Sequence, residues 1–441
     1  MKKRRVYGEK MSNETTRNVL RVTRYDYINI FQFFFILLLS IFLLTSPCRA
    51  SENILTVEDI IAITIEKNPD INAAKQKLAY FEAAARGSGT WPNPELVIGP
   101  NTGSIERKEN ILLSQLFDIS GKFHLKGEKA EREAFYEACQ LQEVILETSL
   151  QARLRYYDYC TAFEIYKLQE KNTELFKKAL EKSEIEYNLG NIPQAEFLRF
   201  QLEEARAVQA LIHAENQLKI AASAIFSIMG QYDRKNIDIS VGDINSIKIK
   251  EVKEEEIIQE ALAKRPVIKG QEALISVKEY EISMAKRERF PDLIVSYRRD
   301  SNREHEPEEN GVVFRFALPV FDYGSIGSQI DMAEAGQRQE EAMLSSVKIQ
   351  VKLEAEKACY ELAEARSLVT AFRNKILVNS DDLLWKAQYG YEEGAFSYLE
   401  FMDAMKTYNE IQREYIEAVY KYYGAIAKCE RAASIKLEED L

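Results

Sequence analysis

The residues able to do chemistry in this chain are scattered. Its three histidines, His124, His213 and His305, stand far apart in the sequence, which provides neither a triad nor a metal-ligand spacing. No Gly-rich phosphate loop or nucleophile elbow occurs, and most acids sit four residues from a base, the spacing of solvated helix faces. The pattern is that of a protein that is not an enzyme, with no cofactor and no metal site expected. Cys139, Cys160, Cys359 and Cys429 are too widely spaced for a zinc motif or a disulfide framework and read as buried single thiols. Glu400 and Asp403, three residues apart, place two carboxylates on one helix face. Glu400 also follows Ser397 by three, the spacing of a capping box, and Asp403 suits the positive end of a helix dipole.

The elements that carry these residues follow from composition and repetition. Of 441 residues only 18 are Gly and 10 Pro, with 46% hydrophobic and 29% charged. Such scarcity of turn residues argues for long uninterrupted helices and against a loop-rich or all-β chain. The net charge of −11 offers no basic face to a nucleic-acid backbone, and nucleic-acid binding is excluded as a primary role.

Residues 1–50 read as a secretory signal peptide. They hold nine basic and three acidic residues, an apolar run from Phe31 to Leu44, and the small-residue end Cys48-Arg49-Ala50. Cleavage is expected after Ala50, and translation starting at Met11 would shorten the basic stretch. Ile28–Leu44 is at the lower length limit for a retained membrane anchor, and Pro47 before Cys48 speaks against a lipid-attachment site. After Ala50 no run of 18 or more apolar residues occurs, so no helical membrane span is expected in the mature chain.

The remainder is duplicated at a period near 200 residues. Asn68-Pro69-Asp70-Ile71 is echoed by Arg265-Pro266-Val267-Ile268, and Trp91-Pro92 by Phe290-Pro291. Phe117-Asp118 recurs as Phe321-Asp322, Tyr187-x-x-Gly190 as Tyr391-x-x-Gly394, and Glu196-Phe197 as Glu400-Phe401, each at an offset of 204. The spacing predicts one repeat over 51–230, a linker over 231–252, and a second repeat over 253–437. Each reads helix, β-hairpin, very long helix, break, return helix. The first helix starts after Thr56, an N-cap with Asp59 three residues on. The segment from Lys122 to Leu189 lacks Pro and would form a helix about 100 Å long. Its two apolar rows, Ala138/Leu141/Ile145/Ala152 and Leu146/Leu150/Leu154/Tyr157, suit a wall of helices better than a two-stranded coil.

The hairpins are expected over 94–117 and 292–321. In the second, Leu293, Val295 and Tyr297 alternate with Ile294, Ser296 and Arg298, and Val312, Phe314, Phe316 and Leu318 with Val313, Arg315 and Ala317. One apolar face and one mixed face is the period-2 pattern of a strand with lipid on one side and water on the other. The polar connection Arg299–Gly311 is expected in solvent, and the first hairpin alternates poorly. Strands in hydrocarbon cannot leave a sheet edge open, and four are fewer than a membrane barrel needs. A lipid-embedded sheet of this chain must therefore be completed by further copies, and three copies supply twelve strands.

Taken in order and in duplicate, the Asn-Pro/Arg-Pro helices, the Phe-Asp turns and the Tyr-x-x-Gly breaks resemble those of the TolC family of outer-membrane efflux proteins. The resemblance covers roughly Leu55 to Ala433. It implies a mainly α chain with a membrane β-barrel part: a homotrimer with a twelve-stranded barrel in outer-membrane lipid, continuous with a long α-helical barrel across the periplasm. It implies an exit duct for efflux that docks through a periplasmic adaptor protein to an inner-membrane pump. The tips, marked by Tyr187, Gly190, Tyr391 and Gly394, would meet the adaptor, and 230–253 with the C-terminal tail would form an equatorial belt. Glu400 and Asp403 match the family's paired acids at the entrance constriction, where threefold symmetry would bring six carboxylates together. Arg199 stands opposite Asp403 in the first repeat, so only one repeat could supply the ring. A protein-secretion duct would share this architecture. A periplasmic coiled-coil scaffold or adaptor would share the helices but has no use for lipid-facing strands.

Overall fold

The structure is a computed structural model, described here for residues 54–100, 109–231, 238–242, 244, 249, 252–301 and 309–435. The signal-peptide reading, the hairpin tips, most of the linker and the C-terminal tail lie outside these residues. From Leu55 onward the chain is one compact unit.

Its first element is α1 (Val57–Lys67), and the cap is the one expected: Thr56 Oγ1 accepts from Asp59 N–H at 3.3 Å while Thr56 N–H donates to Asp59 Oδ2 at 3.0 Å. Pro69 lacks an amide to continue α1, so the chain re-enters as α2 (Pro69–Ser88) with Pro in the first turn. Asn68 Oδ1 caps α2 through Asp70 and Ile71 N–H, and its Nδ2 donates to Ile228 O at 2.9 Å. Strands β1 (Glu95–Pro100) and β2 (Glu109–Phe117) follow, then α3 (Lys122–Asn188), a single helix of 67 residues, and its return α4 (Gln194–Ile228). The second passage repeats the order: α5 (Glu254–Lys264), α6 (Pro266–Arg287), β3 (Leu293–Ser301), β4 (Glu309–Phe316), α7 (Ser325–Ala371), α8 (Leu377–Glu392) and α9 (Tyr398–Ala433).

Several boundaries differ from expectation: the strands of the second hairpin run into the polar connection, to Ser301 and back from Glu309, with Arg299 paired to Asn310. The last strand stops at Phe316 rather than Phe321, because Pro319 has no N–H for a ladder and Val320 N–H instead turns back to Leu318 O at 2.9 Å. The second long helix is interrupted by a π-helical turn, Phe372–Ile376, between α7 and α8. The offset of 204 holds on both sides of it, so the turn is a change of winding without an inserted residue. Phe372 is buried there, its ring centroid 6.0 Å from that of Tyr415.

The core lies between helices. α3 packs on α1, α2, α4, α6 and α9, and α7 on α5, α6 and α9. The two predicted rows of α3 are half-buried apart from Ala152 and Tyr157, which are buried.

The polar interior is concentrated at one level. Arg265, 3% exposed, stands where the first passage has Asn68. Its guanidinium donates from Nη2 to Glu143 Oε1 at 2.6 Å and from Nη1 to Glu354 Oε2 at 3.0 Å. Arg431 reaches the same two carboxylates, at 2.5 Å to Glu354 and 3.3 Å to Glu143, and Glu147 at 3.1 Å. Arg153 pairs with Glu430 beside them. One charge network thus ties α3, the α5–α6 joint, α7 and α9.

Candidate functional site

The four strands form one antiparallel sheet in the order β1-β2-β3-β4. Pairing fixes which residues share a face. Leu96, Leu113, Tyr297 and Val312 line up across all four strands, and beside them lie Val295 with Phe314 and Leu293 with Phe117 and Phe316. This face is unpartnered: Leu96, Ile98, Leu113, Tyr297, Val312, Phe314 and Phe316 are all exposed, Phe314 by 62%. The opposite face carries Arg298 and Arg315, and Ser114 and Ser296, whose hydroxyls lie 2.9 Å apart. Ser296 is 1% exposed. The first hairpin therefore continues the apolar face of the second, which its own alternation did not reveal. Among the described residues, strands β1 and β4 each have one edge without a neighbour and the sheet is not closed.

The Phe-Asp turns are the joints between sheet and wall. After β2, Asp118 Oδ2 accepts from Phe123 N–H at 2.6 Å and Asp118 Oδ1 from Ser120 Oγ at 2.9 Å. After β4, Asp322 accepts from Gly324 and Ile326 N–H. Each aspartate satisfies amides at a helix start that no intrahelical partner can reach. Partial burial opposes the Asp118 charge, but the donors from Phe123, Lys122, Ser120 and Gly121 outweigh it and hold its carboxyl below the ordinary carboxylate value. That stabilisation is present above the ordinary value and lost as pH falls through the lowered one. Lys122 and Arg287 lock the same joint, to Asp292 at 3.0 Å and to Ser120 O at 2.7 Å.

At the far end of the wall, both Tyr-x-x-Gly breaks are Schellman motifs. Gly190 N–H donates to Tyr187 O and Asn191 N–H to Glu186 O; Gly394 N–H donates to Tyr391 O and Ala395 N–H to Gly390 O. Gly190 and Gly394 have φ of +78° and +74°, a conformation that Cβ disfavours. The tyrosines stack on the phenylalanines of the Glu-Phe pair: Tyr187 on Phe197 at 5.2 Å and Tyr391 on Phe401 at 5.1 Å. Phe200, 0% exposed, joins the two tips by packing its ring on Tyr398 at 4.4 Å and near Tyr391 at 6.2 Å. Burial and the nearby carboxylates of Glu196 and Glu186 push Tyr391 up to about 12, so its hydroxyl stays neutral. The tip tyrosines thus serve packing, and what faces outward beside them is Leu189 (68% exposed), Phe396 and Leu399. These residues escaped sequence reasoning, although each lies within two residues of a break glycine or the Ser397 cap.

Glu400 is committed locally. Its Oε2 accepts from Ser397 N–H at 2.8 Å and from Ser397 Oγ at 2.9 Å, completing the capping box. Those two bonds lower its pKa from the ordinary value. Asp403 is exposed one turn further along α9. Tyr187, Gly190, Tyr391, Gly394, Glu400 and Asp403 all fall at the tip end, and the tip core between them is a cluster of Phe176, Phe200, Ala387, Phe401, Met402 and Met405. Among the described residues no helix is long and apolar enough to cross a membrane, and no group of three His, Cys, Asp or Glu could hold a metal ion.

A family profile described as "Outer membrane efflux protein" matches residues 257–432. The chain is 21% identical over 386 residues to the cobalt-zinc-cadmium resistance protein CzcC of Cupriavidus metallidurans, covering 87% of this chain and 91% of that one. Among solved structures, it superposes on CusC with a TM-score of 0.74 at 16% identity, over 86% of this chain and 92% of CusC. It also superposes on the CmeC outer membrane channel of Campylobacter jejuni with a TM-score of 0.71 at 15% identity, over 87% of both chains.

Proposed function

We propose that the chain is a member of the outer membrane efflux protein family, whose profile matches residues 257–432, and that three copies assemble into one duct, whose twelve strands form a barrel in outer-membrane lipid and whose helices form a hollow wall below it. The protein is an outer-membrane efflux channel and not an enzyme. The observation that carries the assembly is the sheet: four paired strands with one exposed apolar face and two unpaired edges. Backbone edges in hydrocarbon cost several kcal/mol per unpaired group, and pairing β4 of one copy with β1 of the next removes them all.

In this arrangement the tips are the periplasmic entrance. Exposed Leu189, Phe396 and Leu399, held by the Gly190 and Gly394 turns, give a periplasmic adaptor an apolar surface, and through it an inner-membrane pump. Cargo moves passively through the duct. The name of CzcC favours divalent metal ions as that cargo, over drugs or secreted protein.

Around the threefold axis Asp403 lines the constriction, and Glu400 contributes its charge from inside the capping box. Glu400→Gln combined with Asp403→Asn is expected to weaken block by multivalent cations about tenfold in bilayer conductance, equivalent to about 1.4 kcal/mol of lost coupling. Asp403→Asn alone should account for most of it. Unchanged block in the double variant would remove these carboxylates from the constriction.

A further inference from the structure

The two cysteines of the second passage meet. Cys359 lies on α7 and Cys429 on α9, antiparallel neighbours whose register is set by ion pairs on both sides: Lys428–Glu361 at 2.7 Å and Lys421–Glu364 at 2.9 Å toward one end, Arg431–Glu354 at 2.5 Å toward the other. In that register the two thiols are within hydrogen-bonding reach of each other. Both belong to one apolar cluster with Ala355, Ala358, Leu362 and Ala425; Cys429 is 0% exposed and Cys359 half-buried. Cys139 packs against Gly270, and Cys160 packs among Tyr156, Tyr157 and Ile225 in a separate cluster.

We propose that Cys359 and Cys429 are joined as an intrachain disulfide after export, stapling α7 to α9 at the level of the Arg265 network. The proposal rests on the reading of the chain as one that reaches the oxidising side of the inner membrane, where disulfides persist. The oxidant is an exchange-active disulfide, such as that of a thiol oxidase or of oxidised glutathione. The Cys359 thiolate, the more accessible of the two, attacks one sulfur of that disulfide, its proton passing to water, and the other sulfur leaves as a thiolate. The Cys429 thiol loses its proton to the departing thiolate or to water, and its sulfur attacks the Cys359 sulfur of the mixed disulfide and expels the second thiolate, so two thiols are oxidised and one disulfide is reduced. Burial raises both thiols, Cys429 to about 12, so the pair is sluggish once packed and the bond is made while α9 is docking.

The test is an acid quench of growing cells, alkylation in denaturant, and peptide mass analysis of the chain recovered from the outer-membrane fraction. The expected result is a Cys359–Cys429 linked peptide that reduction converts to two alkylatable peptides, while Cys139 and Cys160 are alkylated without reduction. Reduction should also lower the thermal unfolding midpoint of the wild type and leave that of Cys359→Ser unchanged. Alkylation of Cys359 and Cys429 without reduction, in chain recovered with the outer membrane, would overturn the proposal. Should the chain be found in the cytosol, the export reading fails, and purified full-length protein equilibrated with oxidised glutathione then decides the pair: linkage supports it and free thiols overturn it.

Discussion

Replacing Arg265 by methionine is expected to destabilise the helical wall by about 3 kcal/mol, because removing one partner of a buried ionic network leaves the other charges stranded. Glu143 would lose its shortest hydrogen bond, at 2.6 Å, and the Ala432 carbonyl would lose a donor at 3.4 Å. Methionine fills much of the arginine stem's volume, so the loss would report charge rather than a cavity. The comparison is Arg206→Met, whose pair with Glu203 is exposed on the arginine side and whose loss should cost no more than about 1 kcal/mol. Thermal unfolding of the helical signal, read on both variants in the same detergent, checks this. Equal midpoints would mean that the network does not hold α3, α6, α7 and α9 together.

Phe200→Ala is expected to cost about 3 to 5 kcal/mol, the range for emptying a fully buried aromatic site, and to cost it locally. Phe200 is the ring on which the two tips converge, against Tyr398 and Tyr391, next to the turns at Gly190 and Gly394. Hydrogen exchange should speed up over 176–207 and 384–405 while the sheet and the Arg265 level keep their protection. Efflux should fall with the chain still present in the outer membrane, since the damaged part is the surface proposed to meet the adaptor. Uniform loss of protection along the whole wall would show that the tips are not a separate cooperative unit.

Much of this could be seen in the residues because short-range chemistry repeats itself. The Thr56 and Ser397 caps, the Asp118 and Asp322 joints and the Gly190 and Gly394 turns each need only donors and acceptors a few residues apart; the joints and turns occur in both passages, whereas each cap occurs once, Lys253 and Pro193 taking the matching places without a side-chain bond. The period-2 alternation of Leu293–Tyr297 and Val312–Phe316 is legible for the same reason. What depends on register across distant segments was not. The first hairpin shows its apolar face only when Leu96 and Leu113 are aligned with Tyr297 and Val312. Arg265 reads as one half of an Arg-Pro helix start, and its carboxylates come from α3 and α7, on either side of it in the chain. Cys359 and Cys429 are free thiols in the structure, as their spacing suggests, and only their neighbouring positions on α7 and α9 escape the sequence, because antiparallel helices bring together residues 70 apart. The π turn at Phe372 leaves the 204-residue offset untouched and so leaves no mark in the spacing. For Glu400 the capping-box reading is present in the structure, and the proposed ring of Glu400 and Asp403 passes to conductance.

The claim that everything else leans on is that β1 and β4 are closed by other copies. Val97→Cys and Val313→Cys lie on the arginine-bearing face at the two edges of the sheet, and a bifunctional thiol reagent applied to outer membranes carrying this double variant reads their proximity directly. Covalent dimers and trimers with nothing larger are the result expected of a three-copy barrel. A chain that stays monomeric at every reagent concentration, while each cysteine alone is reactive, would contradict it.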